Sequence, residues 1–384
     1  MKEKNRIRVA TIFATLISHI VFAAAVHDAL AGTEERLRCV VSLLSAAAGV
    51  AFFSARIGAW IDDPRRHRYF VALIELPFLV HWNACALGLV PCALVFAIRM
   101  LGLDVPRLGS IPSPYISVYL IQLPIAAYGI FVRRRWIVVR ELDVPIQGLD
   151  RRFDGYRIAH LSDLHIGNMT PSSWGSHWAA RVNRSAPDIV VVTGDLIVGG
   201  SDFLEDAAEV IGALRASGGV FVSLGNHDYF GDAERLVSAV RHRGARVLRN
   251  EGMVLLRNGA RLYLAGIDDT WTRRDNLALA MAGCPQGVPS VLLSHDPERF
   301  AEAERAGIPL TLSGHTHGGQ VAVPFLKRHP SLLHLFHPFP SGIYRKGRSS
   351  LYVHPGLGTS GPPIRLGVAP AIVVHTLRTV EYPK

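Results

Sequence analysis

The stretch Gly219–Asp228, GVFVSLGNHD, decides the fold class of this chain. It begins as an apolar run of strand character and stops at Gly225, after which Asn226, His227 and Asp228 follow at once. Three polar side chains directly behind a buried strand contribute little to packing. They are well placed to bind a ligand, because ligands of open α/β sheets lie just beyond the carboxyl ends of the strands. The stretch therefore predicts a ligand site at a strand end.

Other apolar runs in the C-terminal part of the chain end in the same way. Runs of strand character lie at 158–161, 189–193, 261–266, 290–294, 310–313 and 371–377, and helical patterns lie at 174–185, 203–216 and 232–243. Strands that alternate with helices predict βαβ units and a sheet with a parallel part. The polar residues that follow these runs are Asp163, His165, Asp195, His295, His315 and His317.

Together with Asn226, these residues have the composition of a metal site. Oxygen and nitrogen donors without sulfur suit Mn²⁺, Fe or Zn²⁺. In an extended chain, residues i and i+2 point the same way, so Asp163 and His165 are expected to face one cavity, as are His315 and His317. Seven ligands are too many for one ion but suit two ions that share a carboxylate. Such paired ions favour in-line displacement at phosphorus.

In chain order, the fragments LSDLHIG, VVTGDL, SLGNHD and GHTHGGQ, with an isolated histidine before the last, resemble the calcineurin-like metallophosphoesterase superfamily. The late fragments SGIYRKGRSSLYV and GLGTSGPPIRLG resemble its bacterial membrane-associated branch, and the resemblance covers residues of about 143–377. It implies an α/β fold, a two-sheet metallophosphoesterase sandwich flanked by helices. The chain departs from the branch at His354–Gly356 and at Pro370-Ala371, where Arg-Gly and Pro-Glu are common; neither departure touches a metal ligand.

The resemblance also implies a role for each candidate residue. One divalent ion would be bound by Asp163, His165, Asp195 and His317, and a second by Asp195, Asn226, His295 and His315. A hydroxide bridging the two ions would attack phosphorus. His227 would stabilise or protonate the leaving oxygen, and Asp228 would orient the His227 ring. Asp268 and Asp269, behind another strand, either contact a metal-bound water or cap a turn.

The first third of the chain has the composition of a membrane domain. Apolar runs at 9–26, 39–55, 73–98 and 115–132 approach or exceed the roughly 20 residues that cross a bilayer core. We therefore predict an all-α transmembrane domain of about four helices at 1–140, followed by the catalytic domain at 141–384. Residues 1–140 hold 16 Lys and Arg against 8 Asp and Glu, whereas the remainder holds 25 against 23. This distribution weighs against a nucleic-acid partner for the catalytic domain.

Basic residues alternate between the loops of the predicted membrane domain. The N-terminus, loop 56–68 and residues 133–140 carry four Lys or Arg each, whereas loops 27–38 and 99–114 carry two each. The positive-inside rule then predicts a multi-pass protein of the inner (cytoplasmic) membrane with its catalytic domain on the cytoplasmic side. The four cysteines lack metal-ligand spacing and imply no disulfide framework.

The sequence thus predicts a membrane-anchored, binuclear-metal-dependent phosphoesterase for a phosphodiester, pyrophosphate or phosphomonoester. The segment 324–340, PFLKRHPSLLHLFHPFP, is either an amphipathic insertion that touches the bilayer and admits a lipid-linked substrate or a proline-rich loop that covers the sheet. The alternative function is a membrane sensor or partner-binding protein with a catalytically inert phosphoesterase fold. The sequence leaves the substrate, the metal and the oligomeric state open.

Overall fold

The computed structural model describes residues 2–105, 113–323 and 331–380. It divides into two compact units. The first comprises Met1–Ile61, Arg66–Arg133 and Pro362–Ile364, and the second comprises Asp62–Arg65, Arg134–Gly361 and Arg365–Lys384. Residues 324–330 of the predicted segment 324–340 lie outside the described residues.

The first unit consists of helices, the long apolar α1 (Lys2–Ala29), α2 (Glu35–Asp62), α4 (Leu76–Met100) and α5 (Pro114–Phe131) and the three-residue α3 (Arg68–Phe70). A π-helical turn, Val71–Glu75, joins α3 to α4 without a break. In the described residues, four helical stretches are long and apolar enough to cross a bilayer. The prediction of about four apolar helices before the catalytic fold is confirmed.

Glu75, at the end of the π-helical turn, is a fully buried carboxylate with cationic partners. It accepts hydrogen bonds from Arg56 at 2.6 Å, from Arg66 at 3.0 Å and from the Trp60 indole at 3.2 Å. A buried charge that is paired and hydrogen-bonded in this way is a structural element of the helical unit.

The second unit is built on two six-stranded sheets. The first sheet has the order β1 (Val138–Ile146), β12 (Ala371–Thr379), β2 (Arg157–Leu161), β3 (Ile189–Thr193), β4 (Val220–Ser223), β5 (Arg246–Val247). The second has the order β10 (Gly342–Lys346), β11 (Ser349–Val353), β9 (Leu310–Ser313), β8 (Ser290–Leu293), β7 (Ala260–Gly266), β6 (Glu251–Arg257). Parallel pairing runs through β2, β3, β4 and β5 and through β7, β8, β9 and β11.

Alternating side chains of the central strands pack in two different hydrophobic cores. Ile189 and Val191 belong to the core that both sheets share, whereas Val190 and Val192 pack in the core beneath the helices of the first sheet. These helices are α6 (Ser172–Arg184), α7 (Leu204–Gly212) and α8 (Ala233–His242); α9 (Leu277–Met281) and α10 (Phe300–Arg305) accompany the second sheet. Because both faces are buried, these strands are continuously apolar in sequence. The predicted two-sheet sandwich flanked by helices is confirmed.

Three fully buried histidines meet in this unit, namely His160 on β2, His354 after β11 and His375 on β12. His160 Nε2 lies 2.8 Å from the Thr193 hydroxyl, and His375 Nε2 lies 3.4 Å from His160 Nδ1. Burial holds the pKa of His160 and of His354 well below the ordinary value, and it lowers the pKa of His375 to about 3. The folded protein therefore keeps these rings neutral at mildly acidic pH.

We expect acid to destabilise the protein less when His375 is replaced by phenylalanine. Below an ordinary pKa of 6.5, the unfolded chain binds a proton at His375 that the folded chain does not, so the unfolding free energy falls as the pH falls. Between pH 7 and 5 this loss amounts to about 2 kcal/mol for one histidine. Thermal unfolding at both pH values measures it. The exposed His177→Phe is the matched control, and an equal acid loss in His375→Phe and the wild type would contradict the prediction.

Candidate metal centre

The seven predicted ligands lie directly behind the carboxyl ends of five strands. The first sheet supplies Asp163 and His165 after β2, Asp195 after β3 and Asn226 after β4, and the second supplies His295 after β8 and His315 and His317 after β9. Six of these side chains are buried, and that of His315 is partly exposed. The two sheets thus bring all seven residues to one end of the sandwich.

Five of the seven have backbone φ angles in the left-handed region, namely Asp163 (53°), His165 (45°), Asp195 (55°), His315 (71°) and His317 (51°). Such angles are uncommon outside glycine and cost about 1–3 kcal/mol each, and they concentrate at functional sites. They also correct the premise that these stretches are extended. His315 and His317 contact different groups, because left-handed turns replace the strict alternation of a strand.

Three of the side chains form a first group. His165 Nε2 lies 3.0 Å from His317 Nε2, and His317 Nε2 lies 3.3 Å from the Asp163 carboxylate. His165 Nε2 also lies 3.5 Å from Asp195 Oδ2. Ligand atoms of Asp163, His165 and His317 all fall within 4.8 Å of one another, as a shared ion requires.

A second group forms on the other side of Asp195. His295 Nε2 lies 3.3 Å from Asp195 Oδ2, and His315 Nδ1 lies 3.3 Å from His295 Nε2. Ligand atoms of these three residues also fall within 4.8 Å of one another. Asn226 Oδ1 is buried and has no hydrogen-bond partner among the residues that the structure describes. An unpaired buried carbonyl oxygen is costly, and a bound cation would satisfy it.

The protonation states of the histidines suit metal binding. Burial lowers the pKa of His165 to about 3 and that of His315 to about 4, so both rings are neutral and offer a lone pair at pH 7. His295 differs: burial lowers its pKa, but the carboxylates of Asp195 and Asp163 and the hydrogen bond to the Thr193 carbonyl together raise it to about 10. Metal binding at His295 therefore has to displace a proton.

Glycines keep the centre open. A Cβ on Gly225 would lie 2.3 Å from Asp195 Oδ1 and 2.8 Å from His295 Nε2. A Cβ on Gly314 would lie 2.4 Å from Asp163 Oδ2. Only glycine therefore fits at these two positions in the predicted motifs. The donor set, the unpaired Asn226 oxygen and this cradle together fit two divalent ions.

His227 stands beside the first group, with its ring centre 4.7 Å from that of His165. Its Nδ1 lies 2.5 Å from the carbonyl oxygen of Val198. A carbonyl only accepts, so Nδ1 carries a proton and Nε2 is the nitrogen left to face the site. Nε2 lies 3.3 Å from the Ser360 hydroxyl.

The predicted role of Asp228 requires a correction. Its fully buried carboxylate accepts hydrogen bonds from the backbone amides of Gly225 (2.9 Å), Asp195 (3.0 Å) and Leu196 (2.8 Å). The backbone carbonyl of Val198, and not Asp228, orients the His227 ring. Asp228 joins the loops after β3 and β4, because backbone amides exposed by the two turns lie closer to its oxygens than the imidazole does.

Sequence reasoning left several residues around the centre without a role. Gln320 and Ser360 bind each other through two hydrogen bonds of 2.8 and 3.0 Å, which fixes the serine next to His227. Arg365 is fully buried, with one nitrogen 2.6 Å from the Gly358 carbonyl and 3.5 Å from His317 Nδ1. Gln320 lies in the recognised fragment GHTHGGQ, and Ser360 and Arg365 lie in GLGTSGPPIRLG, so the sequence indicated the segments but not the contacts.

The hydrogen bonds of Asp269 support the turn-capping alternative for this residue. Asp269 accepts from the backbone amides of Trp271 at 3.3 Å and Thr272 at 2.7 Å, and so caps a turn. Asp268 accepts from the Tyr229 hydroxyl and pairs with Arg249 at 3.0 Å.

Comparisons with known proteins found a matching family and several relatives of this chain. The family description "Calcineurin-like phosphoesterase" matches residues 156–319. An "Uncharacterized metallophosphoesterase" of Aquifex aeolicus is 31% identical over 230 residues, which cover 58% of this chain and 85% of that protein. A "Transmembrane protein with metallophosphoesterase domain" of Danio rerio is 32% identical over 261 residues, which cover 64% of this chain and 59% of that protein. The phosphopantetheinyl hydrolase structure from Mycobacterium tuberculosis is 14% identical, with a TM-score of 0.35 over 54% of this chain and 91% of that one.

Proposed function

We propose that this chain, which belongs to the calcineurin-like phosphoesterase family, is a membrane-anchored enzyme that hydrolyses a phosphoester with two divalent metal ions. The observation that carries the proposal is the convergence of six aspartate and histidine side chains into two groups that share Asp195. Asp163, His165, Asp195 and His317 would hold one ion, and Asp195, Asn226, His295 and His315 the other. Mn²⁺, Fe or Zn²⁺ suits these donors.

Two bound ions would supply a nucleophilic water and would neutralise charge on the phosphoryl oxygens. The residues of the chain supply the rest. Asp195 is held as a carboxylate: burial would raise its pKa, but the neighbouring His295 and His227 keep that pKa well below the ordinary range. Nδ1 of His227 donates to the Val198 carbonyl, so Nε2 faces the site. A proton on Nε2 would pass to the leaving oxygen.

A direct test is turnover of bis-p-nitrophenyl phosphate by the full-length protein in detergent or nanodiscs. We expect activity that is lost after chelation and restored by Mn²⁺, Fe²⁺ or Zn²⁺. p-Nitrophenyl phosphate and an alkyl pyrophosphate, assayed beside it, distinguish diester, monoester and pyrophosphate hydrolysis. A metal-loaded protein inactive on all three would instead favour a sensor or partner-binding protein with an inert fold.

A cytoplasmic catalytic domain in the inner membrane is supported by residues between α2 and α3. Asp62–Arg65 belongs by its contacts to the catalytic unit. Asp63 accepts hydrogen bonds from the backbone and side-chain nitrogens of Asn168, at 3.1 and 2.7 Å, and Arg65 pairs with Asp206. This connection lies in the basic loop 56–68, which the positive-inside rule assigns to the cytoplasm.

A lipid-linked substrate is the finer form of the proposal. Leu332, Leu335 and Phe336 are 78%, 73% and 82% exposed, which is unusual for adjacent large apolar side chains of a soluble surface. Their segment returns to the metal centre, because the hydroxyl of Thr316, between two predicted ligands, donates to the Pro340 carbonyl. An exposed apolar surface on a segment that contacts the centre at Pro340 suits a substrate presented by a bilayer.

We expect the triple replacement of Leu332, Leu335 and Phe336 by serine to lower turnover of a vesicle-embedded phosphodiester more than turnover of soluble bis-p-nitrophenyl phosphate. The difference should be at least about tenfold, because about 0.8 kcal/mol is lost for each CH₂ that no longer enters the bilayer. Leu279→Ser, at an exposed leucine on α9, is the matched control. Equal losses on both substrates would indicate a loop that only covers the sheet.

A further inference from the structure

The turn after β7 is held rigidly although it lies at the protein surface. Asp269 caps it through the amides of Trp271 and Thr272, and the Arg274 amide donates to the Asp269 carbonyl at 2.9 Å. The Thr270 hydroxyl donates to Asp296 at 2.8 Å, which ties the turn to the neighbour of His295. These bonds fix the direction in which the side chains of the turn point.

The turn presents Trp271 beside the metal centre. Its side chain is 47% exposed, yet its ring centre lies only 5.1 Å from that of His315, at an interplanar angle of 65°. An exposed tryptophan on a flexible loop would not offer a fixed surface for a ligand. A tryptophan held by a pinned turn against a predicted metal ligand forms a preorganised apolar surface at the entrance, at little entropic cost to binding.

Trp271 and His227 lie on different flanks of the centre. His227 groups with His165 and Asp195, whereas His315, which Trp271 contacts, groups with His295 and Asp195. A phosphorus atom between the two groups would direct its leaving oxygen toward His227. The other ester group of a diester would then extend toward the flank on which Trp271 lies.

We infer that Trp271 is a specificity-determining residue that stacks on a planar aromatic ring in the non-leaving group of a phosphodiester. The inference rests on the phosphoesterase activity proposed above. An indole face stacks on any planar ring, and such stacking is worth about tenfold or more in affinity per ring. Trp271 adds no chemical step, because the ring it binds is remote from the bond that breaks.

The test compares two diesters with one leaving group. Bis-p-nitrophenyl phosphate and methyl p-nitrophenyl phosphate both release p-nitrophenolate and differ in the non-leaving group alone. We expect the ratio of their kcat/KM values, aryl over methyl, to fall about tenfold in Trp271→Ala. Trp271→Phe is expected to restore most of the ratio, and Leu279→Ala, at an exposed position elsewhere, to leave it unchanged.

Three outcomes would overturn the inference. An unchanged ratio in Trp271→Ala would remove the residue from substrate binding. An equal loss on hexadecyl p-nitrophenyl phosphate would show a general apolar surface and no preference for rings. If neither diester is hydrolysed, the proposed activity fails separately, and calorimetry on the metal-loaded protein then tests Trp271. The binding preference for phenylphosphonate over methylphosphonate is expected to fall about tenfold in Trp271→Ala. An unchanged preference would contradict the inference.

Discussion

Replacing Asp195 with asparagine is expected to lower kcat/KM for bis-p-nitrophenyl phosphate by about 10³-fold or more and to release bound metal. Asp195 is the carboxylate that both groups share, with Oδ2 at 3.5 Å from His165 and 3.3 Å from His295. Asparagine keeps the shape but removes the negative charge that two cations would share. Metal ions stabilise the charge of a phosphoryl transition state by several kcal/mol, and about 1.4 kcal/mol corresponds to tenfold in rate.

The same substitution is expected to change the stability of the fold little. Asp195 Oδ1 accepts the His227 amide at 2.9 Å, a bond that an asparagine carbonyl can also accept. Asp143→Asn is the matched control, because Asp143 is exposed and pairs at the surface with Arg378 at 2.7 Å. Full metal content and near-normal activity in Asp195→Asn would refute the sharing of one carboxylate by two ions.

Replacing His227 with alanine is expected to lower kcat/KM by about 10²–10⁴-fold while metal content stays at the wild-type level. The Nδ1–H bond to Val198 directs Nε2 to the site, and the Ser360 hydroxyl lies 3.3 Å from it. We therefore expect the His227 ring to act on the leaving oxygen from beside the two groups of predicted metal ligands. The loss should be larger for an alkyl leaving group than for p-nitrophenolate, because a poor leaving group depends more on a proton donor.

Metal analysis and leaving-group dependence separate this role from a structural one. His177→Ala is the matched control, since His177 is an exposed histidine on α6 that binds the Ser173 carbonyl at 2.8 Å. A His227→Ala protein with full activity would remove His227 from the mechanism. A protein that loses metal would make His227 a ligand, consistent with its proximity to His165 and Asp195.

The fold was predictable where both faces of a strand are buried. The apolar runs of β3 and β4 end in Asp195 and in Asn226 with His227, and their order along the chain indicated the convergence of strand ends in space. The four edge strands β1, β5, β6 and β10 were not predicted, nor was β11 beside β10. β1 contains Pro145 and the charged residues Arg140, Glu141 and Asp143, and it tolerates them because it is an edge strand with an exposed face. β6 and β10 are edge strands too, with a weak apolar signal.

The site was predictable as a set of residues but not as a set of contacts. Motif order indicated which side chains gather, since each motif lies behind a strand. It did not indicate the left-handed turns at Asp163 and His165, which replace an extended chain. Nor did it indicate that Val198 orients His227 through a backbone carbonyl, since any residue type could provide that oxygen. Contacts made by backbone atoms leave no mark in the sequence.

The most direct measurement is the divalent metal content of the purified full-length protein by elemental analysis. Activity on bis-p-nitrophenyl phosphate is followed as ions are added back to the metal-free protein. We expect activity to reach its maximum only as the second ion per chain binds, and Asp195→Asn to retain fewer than two ions per chain. Full activity with one ion per chain or with none would contradict this expectation.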